Sequence, residues 1–596
     1  MKYIGEKLNA ELVDAALGRI PSDLVIKGAR LVNVNTTEIE EHVDIAVKNG
    51  RIALVGDASH CVGKETKVIT AGGEYFAPGL LDAHIHPESS MVTLTQFARA
   101  VLPRGTTGVF VDPHEIANVL GLRGIRLLIE ESKRLPLKVF VEISSCVPSA
   151  PGLETTGAEL GLKDIASALK LRNVVGLAEV MNFPGVLAGD EKVHRKIAAA
   201  RNAGKVVEGH APGLVGRELA AYISAGIESD HESFTEKEAV EKLRRGMKLE
   251  VREGSAAKNL TTLIKPILKL KLDTRHCLLA TDDRHPYDLL REGHMDHVVR
   301  RAIEEGVDPI KAIQMATINT ANHFWISDIG DLSPGKIADI LVVEDLRKFE
   351  VKKVFANGRL VAENGKLLLT LQQRAYPKFV KNSVRLKKKI TPSDFVVKSA
   401  LALGRVKVRV IGVIEGEIVT EHKILSLQVK NGEVMPDLAR DVVRVAVVER
   451  HRRTGNIGLG FVRGFGMKRG ALASSVGHDA HNITVVGINP EDMAVAVNEV
   501  VRCGGGQVVV LKGIPTAKLE LPIAGLMSDR SIQDVSAQLE MLHRAARRCG
   551  VKLESPFMSI SFLPLAVIPR LRITDKGLVD VEKFGLVDLI VKRARH

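Results

Sequence analysis

The stretch GLLDAHIH, residues 79–86, is an apolar run that ends in two histidines. Seven further apolar runs end in polar residues, at 107–115, 138–145, 174–180, 205–210, 226–231, 248–253 and 277–283. Helix-like stretches, such as 117–135 and 191–204, separate them. Eight strand–helix units within residues 76–332 predict an α/β fold, a (β/α)8 barrel of the TIM type. A doubly wound open sheet is the alternative, but no GxGxxG motif follows the first strand.

The segments on both sides of the predicted barrel share a β-strand texture. Residues 24–57 and 337–368 alternate apolar and polar positions and contain Asn-Gly pairs, which favour type I′ hairpin turns. We therefore expect a small composite β domain built from 1–75, which also holds an N-terminal helix, and from 333–390. Residues 391–596 predict a third, α+β domain. Its glycine triplet at 504–506 follows a helix-like stretch and precedes a strand, an order that favours a turn over a phosphate-binding loop.

Composition excludes several classes of protein. Of the 596 residues, 45% are hydrophobic and 26% charged, which is typical of a folded, multi-domain chain and excludes a disordered or collagen-like one. The net charge of +13 is spread among interleaved acidic residues, and aromatics make up only 4%, so we expect no nucleic-acid partner. The 5 cysteines form no CxxC pair. Neither a signal peptide nor a long apolar run is evident, so we expect a cytoplasmic protein without a membrane partner.

The ends of the predicted strands carry residues that bind metals. The carboxyl ends of barrel strands converge on one mouth, and side chains two apart on a strand share a face. The residues collected there are His84, His86, Glu179, His210, His231 and Asp282, with Asp283 beside the last. Imidazole and carboxylate suit Zn, Fe, Mn or Co, and this set suffices for two ions. A lone histidine at a strand end is more often structural, but the joint pattern favours a metal site.

Two positions are left open by this reasoning. His114 and Glu115, at the end of the second strand, either support the ligands or contact a substrate. If the eighth strand continues through Asp282 and Asp283, only one of them faces the barrel axis.

Several motifs together resemble one enzyme family. They are HIHPESSM (84–91), VFVDPHEIANVLG (109–121), LAEVMNFPGV (177–186), EGHAPGL (208–214), ESDHES (228–233), ATDDRHP (280–286) and GFGMKRGALASSVGHDAHNI (464–483). The chain resembles the amidohydrolase superfamily and, within it, the adenine deaminases, nearly from end to end. The resemblance implies hydrolytic deamination of adenine to hypoxanthine and ammonia by a metal-bound hydroxide. It also implies two divalent ions, Mn or Fe with Zn as an alternative, and a homo-oligomer, for which we expect a dimer.

The resemblance also implies roles for individual residues. His84 and His86 would bind the first ion with Asp282, His210 and His231 the second, and Glu179 would bridge where many relatives use a carboxylated lysine. Asp282, Glu179 and His231 are the expected catalytic residues. Asp282 is chosen over Asp283 because the family motif has its proton-transferring acid first. The candidates for reading the purine edge are Glu88, His114, Glu115 and Asp283.

Two other functions compete with this interpretation. Another cyclic amide or amidine hydrolase on the same barrel is the closer one, but such relatives normally lack the block GHDAHN at 477–482. A non-enzymatic basic binding protein would leave six ligand-type residues unexplained. GHDAHN packs His478, Asp479, His481 and Asn482 into a turn-prone segment, and polar loops are often functional. We expect the C-terminal domain to contribute to the active site; a loop with only internal hydrogen bonds is the alternative.

Overall fold

The structure is a computed structural model that describes residues 5–255 and 257–591. The chain begins with a short helix and a set of strands that precede the barrel. They are α1 (Glu6–Ala16), β1 (Leu24–Asn33), β2 (Glu38–Lys48), β3 (Arg51–Gly56), β4 (Lys67–Thr70) and β5 (Tyr75–Pro78). Asn49 and Gly50, between β2 and β3, have φ of 50° and 75°, which confirms the hairpin predicted from the Asn-Gly pair.

A ring of parallel strands follows, and each predicted run contains one of them. The strands are β6 (Leu80–Ile85), β7 (Thr106–Val111), β8 (Lys138–Ser144), β9 (Val174–Val180), β10 (Val206–Gly209), β11 (Ser229–Asp230), β12 (Lys248–Arg252) and β13 (Cys277–Ala280). Parallel pairing joins β6 through β10 in sequence and β11 through β13. Glu228 N donates to Val207 O at 2.9 Å, and Asp282 N donates to His84 O at 2.9 Å, which connects the two arcs at both sides. The domain is therefore an α/β barrel of the TIM type.

Helices surround these strands and cover their outer faces. They are α2 (Leu94–Val101), α3 (His114–Leu120), α4 (Leu122–Ser132), α5 (Leu162–Ala168), α6 (Phe183–Leu187), α7 (Glu191–Asn202), α8 (Gly216–Ser224), α9 (Glu236–Arg244), α10 (Leu260–Lys269), α11 (Pro286–Arg291), α12 (Met295–Glu304), α13 (Pro309–Met315) and α14 (Ile318–His323). The turn after α14 closes the base of the barrel, where Phe324 stacks on Phe110 with centroids 3.8 Å apart. The amino end of the barrel is thus packed shut, and the carboxyl ends of the strands form the mouth.

The strands that follow the barrel return to the sheet that precedes it. They are β14 (Ile340–Val343), β15 (Val351–Ala356), β16 (Arg359–Glu363) and β17 (Lys366–Leu367). The sheet order is β17-β16-β15-β14-β5-β1-β2-β3, with β4 also paired to β1. β14 runs antiparallel to β5, with Ile340 opposite Pro78. The chain thus enters and leaves the barrel through adjacent strands of one sheet.

The C-terminal region forms a second large sheet with helices on it. Its elements are α15 (Lys378–Lys381), β18 (Leu403–Val413), β19 (Thr420–Lys430), β20 (Glu433–Val434), β21 (Val442–Val448), β22 (Ile457–Arg463), β23 (Ala471–Ser474), β24 (Ile483–Gly487), α16 (Pro490–Arg502), β25 (Gly506–Leu511), β26 (Ile514–Glu520), α17 (Ile532–Arg548), α18 (Pro556–Phe562), β27 (Leu571–Thr574), β28 (Gly577–Asp580) and β29 (Gly585–Val587). Short 3-10 turns lie at Ser59–Cys61, Pro87–Ser90, Leu102–Arg104, Pro392–Phe395, Leu438–Arg440 and Val581–Lys583. Within the described residues, no helix combines the length and apolarity needed to cross a lipid bilayer.

The C-terminal region packs directly on the barrel. One continuous cluster of buried apolar side chains includes Val111 and Ile143 of the barrel together with Val486 and Ile523 of the C-terminal region. Polar contacts lock the same interface: Thr155 Oγ1 donates to Asp575 at 2.7 Å, and Asn482 Nδ2 donates to Thr155 O at 2.8 Å. Removal of the C-terminal region would therefore expose core surface of the barrel.

The interior of the barrel holds carboxylic acids where branched apolar residues are usual. Glu142, Glu208 and Glu250, from alternate strands, are all fully buried. His323 contacts Glu208 at 2.6 Å, and this partner outweighs burial and lowers the pKa of Glu208 to about 2. Burial, reinforced by the charge of Glu208, raises the pKa of Glu250 well above its ordinary value. Glu250 consequently keeps its proton to a higher pH than an ordinary glutamic acid, beside the more acidic Glu208.

We predict that Glu250→Gln changes the pH dependence of stability. Because the pKa of Glu250 is higher in the folded than in the unfolded protein, its protonated form stabilises the fold. This stabilisation is complete below the unfolded pKa of about 4.5 and is lost as the pH rises toward the folded pKa. Each unit of pKa difference corresponds to about 1.4 kcal/mol. Glutamine keeps the shape and never ionises. The melting temperature of the variant relative to that of the parent should therefore increase between pH 5 and pH 8. Exposed Glu218→Gln is the control and should show no such trend. If the melting temperature of Glu250→Gln relative to the parent falls as the pH rises, the raised pKa of Glu250 is contradicted.

Candidate metal centre

The residues predicted at the strand ends meet at one mouth. His84 lies near the end of β6 with His86 just beyond the strand, Glu179 lies within β9, and His210 and His231 follow β10 and β11 directly. All are buried, as is Asp282 after β13. These six side chains form overlapping groups of three whose ligand atoms lie within 4.8 Å of one another. The barrel geometry therefore collects residues that are nearly 200 positions apart (282 − 84 = 198) in sequence.

Glu179 lies between two pairs of imidazoles. Its Oε1 is 3.3 Å from Nε2 of His86 and 3.8 Å from Nε2 of His84. Its Oε2 is 2.5 Å from Nδ1 of His210 and 2.8 Å from Nε2 of His231. Each carboxylate oxygen thus faces its own histidine pair, an arrangement in which one oxygen can be donated to each of two ions.

The imidazole nitrogens of this cluster fit a bound cation. The Nε2 atoms of His84 and His86 lie 3.2 Å apart, so at most one of them can act as donor to the other. Asp282 Oδ1 is 3.2 Å from His86 Nε2 and 4.0 Å from His84 Nε2, so it points at the same space. His86 Nδ1 is 2.8 Å from Asp112 O, which leaves Nε2 free to ligate. The cluster thus brings together the oxygens of two carboxylates and the ring nitrogens of four imidazoles. Such donors suit divalent metals of the first transition row.

Asp112 supports the central carboxylate from behind. Its Oδ2 accepts a hydrogen bond from the backbone N–H of Glu179 at 3.0 Å, and its Oδ1 accepts one from Ser144 Oγ. His114 Nδ1 lies 3.4 Å from Asp112 Oδ2 and 3.5 Å from Glu179 Oε1. Asp112 therefore fixes the position of Glu179 within β9 and of His114 at the rim.

Asp282 and Asp283 both reach the mouth of the barrel. The sequence suggests that only one of them would face the barrel axis if the eighth strand continued through the pair. β13 ends at Ala280, and Asp282 adopts a left-handed backbone with φ of 59°. Because the strand does not continue through the pair, strand alternation does not apply, and both carboxyls line the same pocket. Asp283 accepts a hydrogen bond from Ser89 Oγ.

Arg252 and Glu232 complete the polar wall, and neither was singled out from sequence. Arg252 Nη1 lies 2.6 Å from Asp282 Oδ2, and Nη2 donates to Glu232 Oε2 at 2.9 Å. Although burial opposes ionisation, the charge of Arg252 holds the pKa of Asp282 well below its ordinary value. The sequence could have pointed to Arg252, because it is the last residue of β12. The strand-end rule that found the histidines also applies to the seventh strand.

Two of the four residues expected to read a substrate lie outside the pocket wall. His114 and Asp283 line the pocket, whereas Glu88 and Glu115 do not. Glu88 Oε1 accepts a hydrogen bond from Ile116 N at 3.3 Å, and Glu115 Oε1 accepts one from Ser89 Oγ at 3.1 Å. Glu88 and Glu115 therefore lie behind the wall of this pocket, where each accepts a hydrogen bond from a neighbouring group.

The C-terminal region supplies the remaining wall. His478 and Asp479 line the pocket with Phe562, which stacks on His478 at a centroid distance of 4.8 Å. Asp479 Oδ1 is 3.7 Å from His114 Nε2, and His478 Nδ1 is 3.4 Å from Glu115 Oε1. Burial lowers the pKa of His478 to about 4, so its ring is neutral at pH 7. His481 and Asn482 turn away: Nδ1 of His481 accepts from Gly477 N at 3.3 Å, and Asn482 contacts Thr155.

Comparisons with known proteins match both halves of this architecture. Residues 75–361 match the amidohydrolase family, and residues 417–585 match the adenine deaminase C-terminal domain. An adenine deaminase of Moorella thermoacetica is 51% identical, over 98% of this chain and 98% of its own. An adenine deaminase of Mesorhizobium japonicum is 49% identical over 98% of this chain and 97% of its own. One of Clostridium botulinum is 45% identical over 98% of both chains. The chain belongs to the adenine deaminase family of amidohydrolases.

Proposed function

We propose that this protein hydrolyses adenine to hypoxanthine and ammonia. The observation that carries the proposal is Glu179 between two histidine pairs at a pocket walled by both matched domains. The relatives that share about half of its residues over nearly the whole chain are named for this activity. Alternative cyclic amide hydrolases share the barrel, but the C-terminal wall with His478 and Asp479 belongs to the domain matched in the deaminases.

Two divalent ions, manganese or iron with zinc as an alternative, would be held by residues of this chain. His84, His86 and Asp282 would hold one ion, His210 and His231 the other, and Glu179 would give one oxygen to each. Such ions would lower the pKa of bound water to about 7 and so supply hydroxide at neutral pH. His231 stacks on His84 with centroids 4.0 Å apart, so the two ligand sets support each other.

Asp282 is the proposed proton-transfer group. During hydrolysis, water adds to the ring carbon that carries the amino group, and the amino group leaves as ammonia. Asp282 Oδ1, which points at the histidine cluster, would accept one proton of the water and pass it to the ring nitrogen. It would then take the second proton, from the added hydroxyl, and pass it to the amino group, so that ammonia leaves and the ring carbon becomes a carbonyl. Arg252 holds the other oxygen, Oδ2, at 2.6 Å. This ion pair orients the carboxylate so that the oxygen that transfers the proton faces the substrate.

Other residues of the pocket are proposed to recognise the purine. His114 and Asp283 would bind its polar edge together with His478 and Asp479, while Glu88 and Glu115 hold them in place. A site built to hydrogen-bond one base rejects others by leaving buried polar groups unpaired. We also propose that the protein is a homo-oligomer. Its domains are proposed to span 1–75 with 333–390, 76–332, and 391–596.

The proposed function is tested by an ultraviolet assay for adenine loss on protein loaded with Mn(II), Fe(II) or Zn(II). Guanine, cytosine, adenosine and dihydrouracil form the comparison panel. Adenine should be consumed with a kcat/KM at least a hundredfold above that of any other compound. A preference for dihydrouracil would instead support the alternative cyclic amide hydrolase.

We predict that Glu179→Gln loses one metal ion per chain. Glutamine keeps the shape of the side chain but removes its negative charge and one of its two ligating oxygens. Metal analysis after dialysis should give close to two ions for the parent and one for the variant. Exposed Glu191→Gln is the control and should keep two. A Glu179→Gln protein that also keeps two ions would show that another residue bridges.

We predict opposite kinetic signatures for the two adjacent aspartates. Asp282→Asn should lower kcat by about 10²–10⁴-fold, because an amide cannot accept the water proton. Asp283→Asn should mainly raise KM, because Asp283 faces the pocket without sharing the histidine cluster. Steady-state kinetics of both variants check the contrast. An active Asp282→Asn protein beside an inactive Asp283→Asn protein would move the proton-transfer role by one residue.

We predict that Asp479→Asn raises KM for adenine about tenfold while kcat changes less. Asp479 reaches the pocket from the C-terminal region and lies beside His114, so loss of its charge weakens the purine contacts. Exposed Asp529→Asn, in the same region, is the matched control. A point variant is preferred to truncation near residue 390, because truncation would expose the shared core. Unchanged kinetics in Asp479→Asn would show that the C-terminal wall only closes the pocket.

A further inference from the structure

A second cavity lies beside the barrel and shares no lining residue with the pocket at the metal centre. Its volume is about 750 Å³, against about 50 Å³ for the pocket at the histidine cluster. The segment that follows β8, helix α7, and Arg452 and Lys576 of the C-terminal region form its walls. Sites for small ligands and cofactors typically measure about 300–1,000 Å³. The cavity therefore has the size of a ligand site, and the proposed deamination does not use it.

Three lysines give this cavity a net positive charge. Lys196 Nζ donates to the backbone oxygen of Ser145 at 2.5 Å, and Lys576 Nζ donates to that of Gly152 at 2.8 Å. Lys192 lies one helical turn before Lys196 on α7. Within the described residues, none of these three ammonium groups forms an ion pair with a carboxylate, whereas the two arginines at the cavity do.

The acids of the cavity offset this charge only in part. Arg195 pairs with Glu191, and Arg452 pairs with Glu159, so each arginine is already neutralised. Asp190 caps α7 by accepting a hydrogen bond from Lys192 N at 2.8 Å, and its carboxylate offsets one of the three lysines.

Glu154, deeper in the wall, is the remaining acid. Burial raises the pKa of Glu154 to about 8, so it is largely neutral at pH 7. The three lysines are left facing the cavity.

Part of the lining is apolar and exposed. This surface comes from Leu162 of α5, which is 37% exposed, from the exposed Pro151 and from the half-buried Val193. A bare inorganic anion would leave this surface in contact with water. An amphiphilic anion covers the apolar side chains and brings its charge to the lysines, since each apolar Å² removed from water contributes roughly 25 cal/mol.

We propose that this cavity binds an organic monophosphate whose apolar part is about the size of a nucleobase. Lysine ammonium groups are frequent phosphate ligands and act as point charges. The phosphate would lie among Lys192, Lys196 and Lys576, with the apolar group against Leu162 and Val193. The site adjoins the metal centre through Ser145, whose Oγ donates to the backbone oxygen of Glu179 at 2.6 Å.

Calorimetric titration of the full-length, metal-loaded protein with adenosine 5′-monophosphate tests this proposal. Saturating hypoxanthine is present to fill the pocket at the metal centre; this one condition rests on the proposed function. We expect one site per chain that hypoxanthine does not displace. Adenosine, which lacks the phosphate, and inorganic phosphate, which lacks the apolar part, should each bind at least tenfold more weakly. Displacement by hypoxanthine, or inorganic phosphate binding as tightly as the nucleotide, would overturn the proposal.

Lysine variants identify the site independently of the deamination. Lys192→Gln and Lys576→Gln should each weaken nucleotide binding about tenfold, the loss of roughly one charge-assisted contact. Both side chains are exposed, so the variants should fold and keep their adenine turnover. Lys237→Gln, on α9 and outside the cavity, is the matched control. Unchanged affinity in the Lys192→Gln, Lys576→Gln double variant, or no measurable binding to the parent at millimolar nucleotide, would refute the site. If hypoxanthine itself fails to bind, the proposed function fails while these variants still decide the cavity.

Discussion

The rest of the structure depends on one buried carboxylate that faces two pairs of imidazoles. Glu179 brings its charge into the centre of the barrel, and a buried charge is costly unless partners compensate it. Its two oxygens are matched by His84 and His86 on one side and by His210 and His231 on the other. Asp112 then fixes its backbone, and Arg252 balances the nearby Asp282. The shape of the mouth follows from the need to satisfy this group of charges.

Much of this arrangement is encoded locally and was predictable. Apolar runs that end in histidine or acid mark barrel strands, because the carboxyl end of each strand opens on the mouth. Asn-Gly pairs mark hairpins, because both residues tolerate positive φ. The strand-end rule alone brings together the proposed ligands His84, His86, Glu179, His210 and His231 with the pair Asp282 and Asp283. The choice of Asp282 over Asp283 rested on the family resemblance.

The features that escaped prediction depend on contacts between distant segments. The positive φ of Asp282 ends the alternation that its sequence suggested. The role of Arg252 depends on its contacts with Asp282 and Glu232, which follow the two neighbouring strands. A C-terminal contribution to the site was expected, but that His478 and Asp479 reach the pocket while His481 turns away depends on how the C-terminal sheet packs on the barrel. No local pattern carries that information.

The composite sheet has a consequence for how the chain is made. β5 ends at Pro78 and pairs with β14, which begins at Ile340, 340 − 78 = 262 residues later. On the ribosome, the first strands of this sheet emerge long before their partners, so an edge of β5 stays unpaired while the whole barrel is synthesised. Contacts so distant in sequence slow folding, and unpaired edges invite association with other chains. The pairing of β14 with β5 therefore completes the sheet late in synthesis, and the enzyme must be protected from association with other chains until then.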